Sequence, residues 1–251
     1  MSSSKRILVF PFGLMAHYLR SIAYCKTFHK NDQCLFASHP LYNTFLVKHG
    51  FDSFLYKHMA VKQILEEAKN FRFDWVNRDV LESAYLNQVQ AIQAFQPDLV
   101  IGDGKITLKM ACQKTGVPYV SLMNAYMSPV YDGVRRLSQA HPRYVYRQKT
   151  PTILFDILTR VIEKKMHMKL HKPFQEIRMA QNLPSCQGFL HEYEGDFTQI
   201  LDDDKIFKVS ELRPGYKVVG PLFYSDFEKE VQHSVWKDDN RKKLIISFGI
   251  S

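Results

Sequence analysis

His17 and Asp103 are the two residues whose types and positions could do acid–base chemistry together. Each stands just past the carboxyl end of an apolar run. His17 follows RILVF at 6–10 and the turn PFGLMA at 11–16, and Asp103 closes DLVIGD at 98–103. An imidazole can take up a proton near neutral pH. A carboxylate on one ring nitrogen fixes the tautomer and stabilises the imidazolium that forms when the other nitrogen is protonated. If the two runs are neighbouring strands of a parallel sheet, both side chains face the crevice where such sheets bind ligands. Taken singly, a turn histidine can cap or pack, and an aspartate before a helix can cap it. Taken together, they read as a dyad able to deprotonate a hydroxyl.

Other candidates carry less. His167 and His171 lie four apart on one helix face, but no glutamate follows His167 and the stretch is rich in lysine, so no metal is expected. Asp202, Asp203 and Asp204 read as a solvated turn, and Asp98 as a turn residue after Pro97. Cys25, Cys34, Cys112 and Cys186 form no CxxC pair and read as buried free thiols. GxGxxG is absent after the first strand, as are GxxxxGK[ST] and GxSxG. That argues against a dinucleotide-dependent dehydrogenase, a P-loop kinase and an α/β-hydrolase.

The positioning elements follow from periodicity. Apolar runs at 6–10, 33–37, 51–56, 98–103 and 118–123 read as strands. Helical spacing covers 18–29, 38–48, 60–70, 75–95 and 107–114, with Gly116 closing the last. Strand, helix, strand at this cadence predicts a doubly wound α/β domain with a parallel, Rossmann-like sheet. Residues 124–150 lose the pattern and read as a long loop whose Tyr126, Tyr131, Tyr144 and Tyr146 suit stacking on a ligand. Residues 152–181 are helical, with Pro173 a kink or boundary, and late strands fall at 196–201 and 216–219. The helix around 153–170 is read first as core-facing with a solvated basic face. A peripheral membrane contact is the other reading.

The chain has 251 residues, 45% of them hydrophobic, and a formal net charge of +9. This supports a packed core and argues against disorder. No apolar run approaches a membrane span, and no tripartite leader precedes the first strand, so a cytoplasmic protein is the expectation. The positive charge concentrates locally at 160–172 without any nucleic-acid motif, so no nucleic acid is expected as a partner.

The motifs, in this order, resemble the UDP-glycosyltransferase superfamily of GT-B fold, family 1 type, which includes macrolide, flavonoid and lipid glycosyltransferases. The opening strand and His17 are similar to that family's first motif. QPDLVIGD at 96–103 with GVPYVS at 116–121 is similar to its "PDLVV-D … GIP-V" block. KPFQEIR at 172–178 with NLP at 182–184, YKVVGPL at 216–222 and ISFGIS at 246–251 match later blocks. Two positions depart from the pattern: Ala16 stands where the family has glycine, and Arg20 where it has proline.

The resemblance implies that His17 is the base and Asp103 its partner. It places acceptor contacts at Gly13, Met15, Gly104, Asn124 and Tyr126, and diphosphate contacts at Ser247, Gly249 and Ser251. It implies a UDP-sugar as co-substrate, no metal and no further cofactor. Residues 1–222 would be the acceptor-binding domain, 223–242 a linker, and 243–251 the first strand and turn of a donor domain that continues beyond the chain. The function implied is transfer of a hexose to a small-molecule or lipid hydroxyl, with inversion, this chain alone being nearly inactive. The alternative is a single-domain binding or scaffold protein that recruits a separate donor-domain partner.

Overall fold

The computed structural model describes residues 4–142 and 144–224. Ser247, Gly249, Ser251 and nearly all of the expected linker and donor-domain start lie outside the described residues. Strands β1 (Arg6–Pro11), β2 (Gln33–Ala37) and β3 (Asp52–Phe54) alternate with helices α1 (Met15–Cys25) and α2 (Asn43–Lys48). Helices α3 (Val61–Lys69) and α4 (Arg78–Phe95) lead to β4 (Leu99–Asp103), α5 (Leu108–Thr115) and β5 (Tyr119–Met123). Then come α6 (Tyr144–Lys149), α7 (Thr152–Ala180), β6 (Phe197–Ile200) and β7 (Tyr216–Val218). Short 3-10 turns occupy Ala125–Met127 and Phe189–Tyr193.

The seven strands form one sheet in the order β3-β2-β1-β4-β5-β6-β7. All six pairings are parallel. The expected doubly wound α/β fold is therefore present. The strand order reverses between β1 and β4, which creates a crevice at their carboxyl ends. Because side chains alternate along a strand, β1 feeds both faces of the sheet. Ile7 and Val9 pack with Tyr18 and Ile22 of α1 and Leu46 of α2. Leu8 and Phe10 pack with Leu81 and Tyr85 of α4, Leu108 of α5 and Phe174 of α7. Left-handed residues stop two helices: Gln96 (φ 46°) just before Pro97, and Gly116 (φ 71°) after α5.

Several expectations change. Helix α1 starts at Met15 rather than 18, since the backbone turns helical directly after Leu14, so His17 lies in its first turn and not in the loop before it. The stretch 124–150 is not wholly loop, because α6 and a 3-10 turn form within it. Pro173 neither breaks nor bounds α7, which runs through it. The core-facing reading of α7 fits its second half, where Leu170, Phe174 and Ile177 are buried. In the first half Phe155 and Thr159 are buried, but Ile153, Leu154, Ile157, Leu158, Val161 and Ile162 are exposed. The reason is length: at 29 residues the helix spans about 44 Å, against about 17 Å for a five-residue strand.

A buried ion cluster fastens the second half of α7. Glu192 accepts from Nε of Arg178 at 2.8 Å and from Nη2 at 2.5 Å, and it contacts Nε2 of His171 at 3.0 Å. Arg178 also donates to Gln113 on α5 at 2.8 Å and to the carbonyl of Pro184 at 2.7 Å. Burial alone would push the Glu192 carboxyl up, but the hydrogen bonds and charges of Arg178 and His171 outweigh it and hold it below its ordinary value. Burial works against a charged His171, and its contacts with Cys186 and Glu192 overcome that and raise it to about 9. Removing one partner of such a pair leaves an uncompensated buried charge. Arg178→Ala should therefore cost about 3–5 kcal/mol of unfolding free energy, measured by urea denaturation. A loss under 1 kcal/mol would show that the cluster behaves like a surface pair.

Candidate active site

The backbone sets the site before any side chain does. Pro11 of β1 is in register with Asp103 of β4, and the N–H of Phe12 donates to the carbonyl of Asp103 at 2.8 Å. This bond lies past the last residue of β1 and ties the turn before α1 to the end of β4. His17 and Arg20, one helical turn apart on α1, consequently face the Asp103 side chain together.

Asp103 is fully buried and receives three donors. Nδ1 of His17 lies 2.7 Å from Oδ1. Arg20 forms a two-pronged pair, with Nε on Oδ2 and Nη2 on Oδ1. Burial would push this carboxyl up, but the charge on His17 and the hydrogen bonds from Arg20 and His17 prevail and keep it below the usual carboxylate range. Asp103 is thus a fixed anion. It orients the imidazole so that Nδ1 donates and Nε2 keeps a lone pair.

Arg20 was legible in the sequence only as a departure from the family pattern, and the structure gives it a job. Its Nη1 donates to Oδ1 of Asn124 at 2.7 Å. Asn124 in turn donates to Asp202 at 3.3 Å, and Asp202 also accepts the backbone N–H of Ala125. Asp202 is therefore not part of a solvated turn. Its carboxylate holds the start of the 3-10 turn that follows β5. Asp98, read as a turn residue, accepts the backbone N–H of Arg6 at 2.8 Å at the far end of the sheet.

Gly104 follows Asp103 in the left-handed region, at φ 66°, and a Cβ there would sit 3.1 Å from Cε1 of His17. Both backbone conformation and space call for glycine at this point. A cavity of about 320 Å³ opens beside the pair. His17, Arg20, Gly104 and Asn124 line it, with Tyr56, Met59, Ile64, Trp75, Lys105, Ile106, Met123, Met127 and Tyr193. Its size is at the lower end for small-molecule sites. Three of the expected acceptor contacts are not among its lining residues. Gly13 packs against Val61 and His58, Met15 belongs to the first turn of α1, and Tyr126 sits against Tyr131 and Arg135.

Among the described residues, His171, Cys186 and Glu192 bring ligand atoms within 4.8 Å of one another. Both oxygens of that Glu192 already accept from Arg178, so a cation would have to displace a buried guanidinium. His167 approaches Glu163 rather than this group. No helix among the described residues is long and apolar enough to cross a membrane.

No family model matches the chain. A rhamnosyltransferase of PGL/p-HBAD biosynthesis from Mycobacterium bovis is 25% identical over 142 residues, covering 55% of this chain and 30% of that protein. A second Mycobacterium bovis protein, named an inactive PGL/p-HBAD biosynthesis glycosyltransferase, is 26% identical over 139 residues, 51% of this chain and 35% of the relative. The match thus spans about a third of these relatives' length. Among solved structures, the calicheamicin glycosyltransferase CalG4 superposes with a TM-score of 0.51 at 14% identity, over 88% of this chain and 52% of its own. A UDP-glucosyltransferase from Polygonum tinctorium gives a TM-score of 0.51 at 10% identity, over 90% and 55%. The chain is similar in sequence to curated glycosyltransferases, and it has the α/β fold of about half the length of the solved GT-B glycosyltransferase structures.

Proposed function

We propose that this chain is the acceptor-binding part of an inverting glycosyltransferase that moves a hexose from a UDP-sugar to a hydroxyl of a small-molecule or lipid acceptor. The observation that carries this reading is Nδ1 of His17 at 2.7 Å from the buried Asp103 carboxylate, with the imidazole at the wall of a cavity. In the proposed reaction Asp103 holds the Nδ1 proton and Nε2 takes the proton of the acceptor hydroxyl. The oxygen attacks the anomeric carbon from the face opposite the nucleotide, the new C–O bond forms, and UDP leaves with the electrons of the broken bond. Ser247, Gly249 and Ser251 would meet the diphosphate through hydroxyl and N–H donors, so the reading needs no metal and no cofactor beyond the sugar nucleotide.

One relative is named inactive, so the fold alone does not argue for activity and the dyad must be tested. In the protein together with its donor domain, His17→Ala and Asp103→Asn should each lower kcat by about 10²- to 10⁴-fold. Acceptor affinity should change far less. Full activity of His17→Ala would remove the dyad from the mechanism.

The domain plan makes a second prediction. The native protein, sized by intact mass spectrometry from its own cells, should exceed 29.4 kDa by a domain of about 100–200 residues. A native mass of 29.4 kDa would instead favour a chain that recruits a separate donor-domain partner.

The exposed apolar stripe on the first half of α7 is flanked by Arg160, Lys164, Lys165 and Lys169. Apolar exposure beside basic charge suits an anionic bilayer surface. We therefore include peripheral membrane contact in the proposal. The protein should co-sediment with vesicles containing phosphatidylglycerol and much less with pure phosphatidylcholine, and Leu158→Glu should abolish the difference. Equal behaviour on both vesicles would show that the stripe meets something other than lipid.

A further inference from the structure

Next to the dyad, the cavity contains groups that proton abstraction does not use. Lys105 is 6% exposed. Among the described residues its one hydrogen-bond partner is Nδ1 of His58, at 3.4 Å, and its ammonium lies over the Tyr56 ring at 4.8 Å from the centroid. No carboxylate is within ion-pair distance of it there, although Asp103 is two residues away. That carboxylate already holds His17 and Arg20. His58 offers no charge: burial, then Lys105 itself, push it down to about 3, while Nε2 lies 2.8 Å from the carbonyl of Ser38.

An ammonium can only donate. Leaving it under-satisfied in a mostly apolar cavity costs free energy, unless an acceptor arrives with the ligand. Burial pulls Lys105 down to about 7, with Asp103 opposing, which is the direction expected of a cation lacking a close partner anion. Arg20 lines the same cavity, but its charge faces Asp103.

We propose that this cavity selects an acceptor with an apolar body, a hydroxyl at the His17 end and a carboxylate that pairs with Lys105. This rests on the acceptor-site reading above and narrows it to a hydroxy acid. His17 lies against Gly104, Lys105 is the next residue in the chain, and all three line the same cavity, so a single small molecule can meet both side chains.

The test uses the 251-residue chain, without sugar nucleotide, and three hydroxy acids of increasing size: 4-hydroxyphenylacetate, 6-hydroxy-2-naphthoate and 4′-hydroxybiphenyl-4-carboxylate. Each is compared with its neutral primary amide by calorimetry at pH 7. At least one acid should bind about 10- to 100-fold more tightly than its amide. Lys105→Met should erase that preference by weakening acid binding far more than amide binding. In the unmodified chain the same acid, and not its amide, should protect Lys105 from trinitrobenzenesulfonate, a readout that does not depend on the variant folding. Equal binding of acids and amides, a preference that survives in Lys105→Met, or no saturable binding by any acid would each overturn the proposal. Acid binding without sugar transfer in the protein carrying its donor domain would leave the proposal standing and count against the glycosyltransferase reading. Transfer to neutral acceptors alone would do the reverse.

Discussion

The carboxylate of Asp103 is the constraint on which the site depends. A fully buried anion persists only if donors surround it, and here α1 supplies them. His17 and Arg20 are spaced by three residues, so they leave the helix on one side and converge on one carboxylate. The backbone bond from Phe12 to the Asp103 carbonyl fixes the distance across which they reach. The network continues through Asn124 to Asp202, so the ends of β1, β4 and β5 and the segment after β6 are joined by polar contacts. Apolar packing builds the sheet, but this chain of ion pairs and hydrogen bonds decides how the crevice walls stand.

Arg20 sharpens the tautomer problem. Its Nη2 approaches Nδ1 of His17 at 3.1 Å, and a guanidinium can only donate. If Nδ1 accepted that bond, its proton would sit on Nε2 and the ring could not act as a base from that nitrogen. The competing contact is shorter, 2.7 Å to Asp103, and is charge-assisted. An N–H to a carboxylate at that distance is the stronger interaction, and the same guanidinium has both Asp103 oxygens to satisfy it. The proton therefore belongs on Nδ1. Arg20 then acts on the histidine indirectly, by keeping Asp103 ionised and immobile.

The centre of the sheet was legible because β1, β4 and β5 are short, nearly continuous apolar runs, the pattern that burial on both faces demands, whereas β3, β6 and β7 carry polar residues. His17 and Asp103 could be paired on paper because parallel strands deliver their carboxyl ends to one edge. Arg20 could be noticed only as an unusual residue, since its partner lies 83 positions away and no local rule connects them. Asp202 was misread because a run of aspartates is usually solvated, and only the fold brings Asn124 to it. The first half of α7 was misjudged for a different reason. Periodicity reports that a helix has an apolar face, but not whether the rest of the chain is wide enough to cover it.

Two ion clusters in this molecule show how a structural and a ligand-directed arrangement differ. Around Glu192, both carboxylate oxygens are paired, Arg178 places its remaining donor on Gln113 and Pro184, and His171 completes the set. Little there is left to recognise anything else. Around Gly104 the balance is different. Asp103 and Lys105 carry opposite charges two residues apart, yet the left-handed turn between them sends one to α1 and leaves the other against Tyr56 and His58. Direct pairing would have satisfied both. Keeping them apart gives Asp103 to the base and leaves a buried cation at the cavity wall, an arrangement that stability alone does not explain and that a bound anion would complete.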